Sequence, residues 1–547
     1  MNKNKALKIA AVILGAVGII YSLYFFFGNC LNTEATKRYN AYFAIIFIVM
    51  IALTIYLLRL LLLEKKWSYP RTFVILSIGW TICMQLVMPP ISGPDEVEHY
   101  YSAYHASNIM MGIKDQDFDT DPDRYGHWIN DVSYFYMRGE DYYMLPYLDV
   151  TFPYQYSILA QGNFFKSSDD AKMQEMVKVY NIDPTKASRY LVSGAGITLA
   201  RLLNFGFAGV IFMGRFFNSL SLIIAGYIAL KLLPFGKHQF FTFALFPTVL
   251  HLCSSYSYDN MSILFSMALL TLCLYYSQDS VKLHAWDLIL MAICVAILLP
   301  NKTVYVMFAV WILLIPVKKW WTDVALSKKW YEYVVSGVIV LGAATVGYKL
   351  IRKYYYSILS FTVWNYQGVV ESDPTLQAYT WQYFKEHPLE TVKFAWEGIK
   401  VDFWYNLKHV VGSEIGHVNL NAQVPIICIY VMMACLVIGL VFIKGKRLKK
   451  WQIVVLVLGI LMCLTAIFIG CLTRFTPAEG SQRIQISFRY LIPLYMCLAI
   501  GLGSDAKENK LALSLIYVQN VMLMFSMCGL LYYLFHLRDG MPAPFEF

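Results

Sequence analysis

Three carboxylates and an imidazole fall within five residues in the stretch Gly93-Pro94-Asp95-Glu96-Val97-Glu98-His99-Tyr100-Tyr101, directly after an apolar run ending in Val87-Met88-Pro89-Pro90. In so apolar a chain, such a cluster is costly unless it lies in water or in a site. Asp95 or Glu96 is of the type that accepts a proton from an attacking hydroxyl, with His99 tuning the pair. Two cations far along the chain suit the other half of such a reaction: Lys302 as a point charge and Arg489 as a bidentate fork on a phosphate. Further polar groups at span ends complete a set of candidate donor or acceptor contacts: Glu98, Arg215, Tyr258, Asp259, Arg483, Gln485 and Tyr490.

Each group also has a plain structural use. Ser92-Gly93-Pro94-Asp95 fits a capping box, with Ser92 as N-cap, Pro94 in the first turn and Asp95 at N3. That cap would also present Asp95 and His99 at i, i+4 on one helix face. Lys302 alone reads as an interfacial lysine whose stem lies in lipid. Asp259, just before an apolar run, reads as a helix cap, and Arg489 as either a phosphate ligand or the partner of a loop carboxylate.

The elements that must position these groups are membrane helices. The chain has 547 residues, 58% hydrophobic and 15% charged, with mean hydropathy +0.51. No soluble domain covers that much apolar surface. Apolar runs separated by short charged loops predict an all-α polytopic bundle of about 13 spans. The runs lie at about 7–27, 41–63, 71–90, 211–233, 239–253, 259–277, 285–299, 302–317, 332–350, 424–443, 452–471, 488–503 and 511–534. The first is expected to be retained, since no A-x-A-like cleavage site follows it.

With the N-terminus inside, Lys65-Lys66, Lys318-Lys319 and the run Lys444 to Lys450 all fall on the cytoplasmic side. The net charge of +10 belongs to those loops. No basic stripe interleaved with aromatics suggests nucleic acid. The same count places the Asp95 cluster, Ser254–Asn260, Asn301-Lys302 and Gln482–Tyr490 together outside. The organisation expected is 1–70 as two added helices and 71–350 as a core with an outer loop over 91–205. A second outer segment at 351–423 and C-terminal helices at 424–547 follow.

The cysteines lie mostly inside apolar runs, without CxxC spacing; Cys30 and Cys471, near outer ends, could pair. Asp115, Asp117, Asp119, Asp121 and Asp123 alternate, but Pro122 stands where an EF-hand turn needs glycine, so a solvated acidic loop is expected and no metal site. The tyrosines and tryptophan of the outer segment suit sugar faces, and equally a membrane interface.

Pro94-Asp95-Glu96-x-x-His99 resembles the signature of an uncharacterised family of bacterial polytopic membrane proteins in the GT-C glycosyltransferase superfamily. Gly214-Arg215-Phe216-Phe217-Asn218, Ser255-Tyr256-Ser257-Tyr258-Asp259 and Lys302-Thr303-Val304-Tyr305 follow in that family's order. Ile484-Gln485-Ile486-Ser487-Phe488-Arg489-Tyr490-Leu491-Ile492-Pro493 is similar to its last motif, without that motif's glycines and glutamine before the arginine. Glu98 stands where the family often has a small residue. The likeness extends over about 75–500.

The resemblance implies a GT-C-type bundle whose first large outer loop carries an Asp/Glu base. It implies a polyprenyl-phosphate sugar donor, a cell-surface glycan acceptor and inversion, in a bacterial plasma membrane, with no cofactor. Asp95 and Glu96 take the acidic motif; Lys302 and Arg489 take the basic positions. Two other readings stand beside it: a ligase or polymerase using a polyprenyl-diphosphate glycan, and a lipid-linked sugar transporter without chemistry. The latter should show charged or broken segments in mid-span, whereas the ionisable residues here gather at span ends.

Overall fold

The computed structural model describes residues 3–30, 37–63, 66–113, 133–138, 141, 164–167, 173–178, 184–324, 369–370, 373–416, 422–478, 484, 486–504 and 508–534. Among them, seven helices are long and apolar enough to cross a membrane. Six are α1 (Lys3–Phe25), α2 (Lys37–Leu62), α3 (Tyr69–Val87), α6 (Phe207–Leu232), α9 (Asp259–Tyr276) and α14 (Lys450–Arg474); the seventh is α16 (Lys510–Tyr532). Between them lie α4 (Glu96–Met110), α5 (Leu191–Leu202), α7 (Lys237–Ala244), α8 (Pro247–Cys253) and α10 (Ala285–Asn301). Later come α11 (Trp381–Glu386), α12 (Pro388–Val411), α13 (Ile426–Phe442) and α15 (Ile492–Leu502).

The chain is thus a helical polytopic membrane protein, and among the described residues some of the apolar runs are broken or short. The run at 239–253 breaks into α7 and α8 at Leu245-Phe246, because Pro247 cannot continue a helix that needs its N–H. The run after Lys302 winds as a 3-10 helix, Thr303–Leu314. Four apolar helices fall short of the seven in length, Ala285–Asn301, Thr303–Leu314, Ile426–Phe442 and Phe488–Leu502. The run at 332–350 and the acidic loop Asp115–Asp123 lie outside the described residues. Cys30 and Cys471 do not pair: both are free and buried.

Polar side chains join the spans where lipid offers no hydrophobic drive. Asn520 on α16 accepts from Trp80 Nε1 on α3 at 3.0 Å and donates to Thr54 on α2 at 3.0 Å. Gln85 on α3 donates to Ser219 on α6 at 2.9 Å. After α4, the strand β1 (Ser133–Arg138) pairs antiparallel with β2 (Met173–Lys178), and β1 ends at a buried pair: Arg138 Nε to Asp141 Oδ2 at 2.7 Å. Tyr104 on α4 donates to that same carboxylate at 2.8 Å, clamping α4 to the loop. In the second segment, α12 exposes Leu389, Val392, Trp396 and Trp404 while burying Gly398, Asn406 and His409. Such a one-sided helix suits the membrane surface.

The helices α5 and α6 cross with their backbones in close approach. A Cβ at Gly196 would stand 2.4 Å from the Met213 carbonyl oxygen. Gly196→Ala must therefore push two backbones apart, at a cost of about 1–3 kcal/mol. Thermal unfolding in detergent should show a lowered midpoint for Gly196→Ala. Gly28→Ala, with nothing within 4 Å of its Cβ, should match the parent.

Candidate active site

Asp95 stands one residue before α4, with φ +55° and ψ 19°, and makes no side-chain capping bond. The expected box therefore does not form: the helix begins at Glu96, and Asp95, not Ser92, is its N-cap. Glu96 turns back instead, and its Oε2 accepts from Gly93 N at 2.7 Å.

Glu96 is fully buried, and its partners are backbone. Besides Gly93, its Oε1 accepts from Tyr256 N at 3.0 Å, and Arg215 Nε lies 3.6 Å away. Arg215 donates to the carbonyls of Ser254 at 2.8 Å and Met88 at 3.0 Å. Both side chains are buried: the Glu96 carboxylate turns inward to two backbone amides and Arg215, and Arg215 is taken up by that carboxylate and by backbone carbonyls. Together they tie the end of α3, the start of α4, α6 and the α8–α9 turn into one knot.

A cluster of four charged side chains assembles around that knot. Asp259, the first residue of α9, pairs through Oδ1 with Lys302 Nζ, and its Oδ2 lies 3.7 Å from Arg489. Arg489, on the 3-10 turn Phe488–Leu491, reaches Asp95 Oδ2 at 3.4 Å with its other terminal nitrogen. Four charges from four separate parts of the chain thus form one chain of pairs. The Asp259 side chain is 3% exposed and that of Asp95 55%, so only Asp95 stands open to an incoming group. Lys302 is buried and ion-paired, unlike an interfacial lysine. Its ammonium also sits over the Tyr490 ring at 4.0 Å and the Tyr258 ring at 5.2 Å.

His99 lies behind Asp95. Its Nδ1 bonds the Tyr190 hydroxyl at 2.8 Å, its ring packs edge-on to Tyr258 at 5.0 Å, and its Nε2 is buried without a hydrogen-bond partner among the described residues. Burial lowers its pKa to about 4; Arg489 and Lys302 act in the same sense, and Asp95 and Asp259 oppose. The imidazole is neutral near pH 7. Burial, with Asp259, pushes the Tyr258 hydroxyl up to about 12. Glu98 faces outward, exposed. Arg483 and Gln485 lie outside the described residues. No group of three or more His, Cys, Asp or Glu that could hold a metal forms among the described residues.

Two participants carried no sequence signal. Arg189 and Tyr190, on the 3-10 helix Pro184–Tyr190, reach the site from the end of the outer segment: Arg189 donates to the Pro300 carbonyl and lies 5.1 Å from the Tyr258 ring. No spacing rule links them to Asp95.

Residues 166–498 match the family described as predicted membrane protein (DUF2142). The chain belongs to that family. No curated protein and no solved structure matches it. Within this DUF2142 chain, Arg189, Asp259, Lys302 and Arg489 fall inside the matched segment, while Asp95 and His99 precede it. The match is narrower than the 75–500 likeness.

His99 sets a pH dependence with a definite sign. Its folded pKa near 4 lies below the ordinary value of about 6.5. The unfolded chain therefore takes up the proton first. Stability from this group is complete above about pH 6.5 and declines toward pH 4, by up to about tenfold in the unfolding equilibrium per pH unit. Thermal unfolding at pH 7 and pH 5 should show a smaller loss for His99→Gln than for the parent; identical losses would remove His99 as the titrating group.

Proposed function

We propose that this protein is a membrane glycosyltransferase of the GT-C type. It moves a sugar from a polyprenyl-phosphate donor to a cell-surface glycan on the outer face of a bacterial plasma membrane. The observation that carries this reading is the convergence of Asp95, Asp259, Lys302 and Arg489 from distant parts of the chain, with one carboxylate open and both cations behind it. The sidedness rests on the basic loops. Lys66, Lys318-Lys319 and Lys444 to Lys450 lie at span ends away from the Asp95 cluster, which the positive-inside rule makes cytoplasmic.

In this reading Asp95 is the base. It accepts the proton of the acceptor hydroxyl as that oxygen bonds the anomeric carbon from the face opposite the phosphate, and the anomeric carbon's bond to the phosphate oxygen breaks. Inversion follows. Asp95, Asp259, Lys302 and Arg489 together carry no net charge before reaction. Proton transfer neutralises Asp95 and releases its hold on Arg489, leaving one positive charge uncompensated. At the same moment the donor phosphate passes from a diester to a monoester and gains one negative charge. The cation freed is the one the leaving group requires. Asp259 stays paired with Lys302 and keeps it in place. Glu96 and Arg215 serve as positioning residues, and Tyr258 and Tyr490 form ring walls.

Removing a general base costs about 10²–10⁴ in rate. Asp95→Asn should lose sugar transfer to the surface glycan by that factor while the folded protein accumulates normally, with polyprenyl-phosphate sugar building up in the membrane. Glu96→Gln should lower the yield of folded protein far more than the turnover of what folds. Full transfer by Asp95→Asn would overturn the assignment. Accumulation of a polyprenyl-diphosphate glycan instead would favour a ligase or polymerase. Sugar analysis of cells carrying each variant reads all three outcomes.

A further inference from the structure

A sizeable cavity lies far from Asp95. It encloses about 570 Å³ between α1, α2 and α16, at the end of the bundle where Trp67 meets the start of α3. The site lies beyond the other end of α3, whose 19 residues span about 28 Å, so the two open toward opposite membrane faces. Lys8, Lys66 and Lys510 stand at its rim with one carboxylate, Glu508, giving a formal excess of two positive charges (three minus one). Its walls are apolar, among them Leu14, Leu61 and Leu513. Deeper along α1 the helices close: Tyr517 donates to the Ala11 carbonyl at 2.8 Å, and a Cβ at Gly15 would meet the Tyr517 oxygen at 2.2 Å.

We propose that this cavity binds one anionic phospholipid from the leaflet opposite the Asp95 site. The phosphate of the head group meets the three lysines, and an acyl chain runs along the apolar wall above the Tyr517 floor. A cation-rimmed cavity with apolar walls, open at the end of a membrane bundle, complements both ends of such a lipid. A soluble anion would gain from the rim alone. Every lining residue lies in 7–67 or 508–518, outside the segment matched to the family. The lipid therefore joins the two added N-terminal helices to the last one, and its binding is independent of the reaction.

The test uses the full chain purified in neutral detergent and titrated with mixed micelles of phosphatidylglycerol or phosphatidylcholine of equal chain length. Thermal unfolding and native mass spectrometry provide the readouts. Phosphatidylglycerol should raise the unfolding midpoint, saturate at one lipid per chain and survive delipidation; phosphatidylcholine should do neither. Each lysine removed in Lys8→Gln, Lys66→Gln and Lys510→Gln should weaken apparent binding roughly fivefold, and the corresponding arginine substitutions should restore it. Lys66→Gln, on a residue outside any helix, serves alone where the combined variant does not fold. Equal effects of the two lipids, glutamine variants that bind as the parent does, or the same stabilisation by glycerol phosphate would each overturn the proposal.

Discussion

A buried carboxylate with no water must find its hydrogen bonds in the protein, and Glu96 finds them in two backbone amides and a guanidinium. That requirement organises the half of the bundle around the start of α4. Arg215 cannot leave α6 without stranding Glu96, and Arg215 is itself satisfied only because α3 ends where the carbonyls of Gln85 and Met88 point at it. Tyr256 can donate its amide only if the α8–α9 turn comes down beside α4. Once these constraints are met, Asp95 and Asp259, next to the knot in sequence on α4 and α9, are placed on either side of Arg489.

The second level is charge compensation. Lys302 and Arg489 would repel each other if left alone in so dry a setting, and Asp259 lies between them as the shared counter-ion. Tyr490 and Tyr258 contribute the negative faces of their rings to Lys302. The open carboxylate of Asp95 completes the balance from the solvent side. Because each of these four charges has a partner, the cluster can be held in a largely apolar bundle, and its outermost member, Asp95, remains exposed.

Much of this was legible in the sequence, through chemistry that does not depend on detailed geometry. Apolar runs must become helices in lipid, and ionisable groups at their ends must face water or one another; that logic brought Asp95, Lys302 and Arg489 to one place. It failed where identity of type concealed difference of environment. Asp95 and Glu96 are adjacent carboxylates, and nothing in their order says that one turns inward to amides while the other turns out to Arg489. Arg215, Lys302 and Arg489 are equally indistinct as cations at span ends. Helix continuity was hidden for a related reason: hydropathy registers how apolar 239–253 is, while Pro247 decides that its backbone cannot run on as one helix. Arg189 and Tyr190 reach the cluster through tertiary contacts, with the Pro300 carbonyl and with His99, that leave no local pattern in the sequence.

The backbone of Asp95 ties these levels together. A non-glycine residue at φ +55° is uncommon, and aspartate tolerates it better than most because its short side chain carries no β-branch. An N-cap in the extended region would aim its carboxylate at the first free amides of α4 and spend its acceptors there. In the left-handed region the carboxylate leaves those amides, makes no cap, and turns toward Arg489. The adjacent glutamate, satisfied through Gly93 and Tyr256, holds the start of α4 in its place. One carboxylate is thus committed to structure, while its neighbour, in a less favoured conformation, stays exposed beside Arg489.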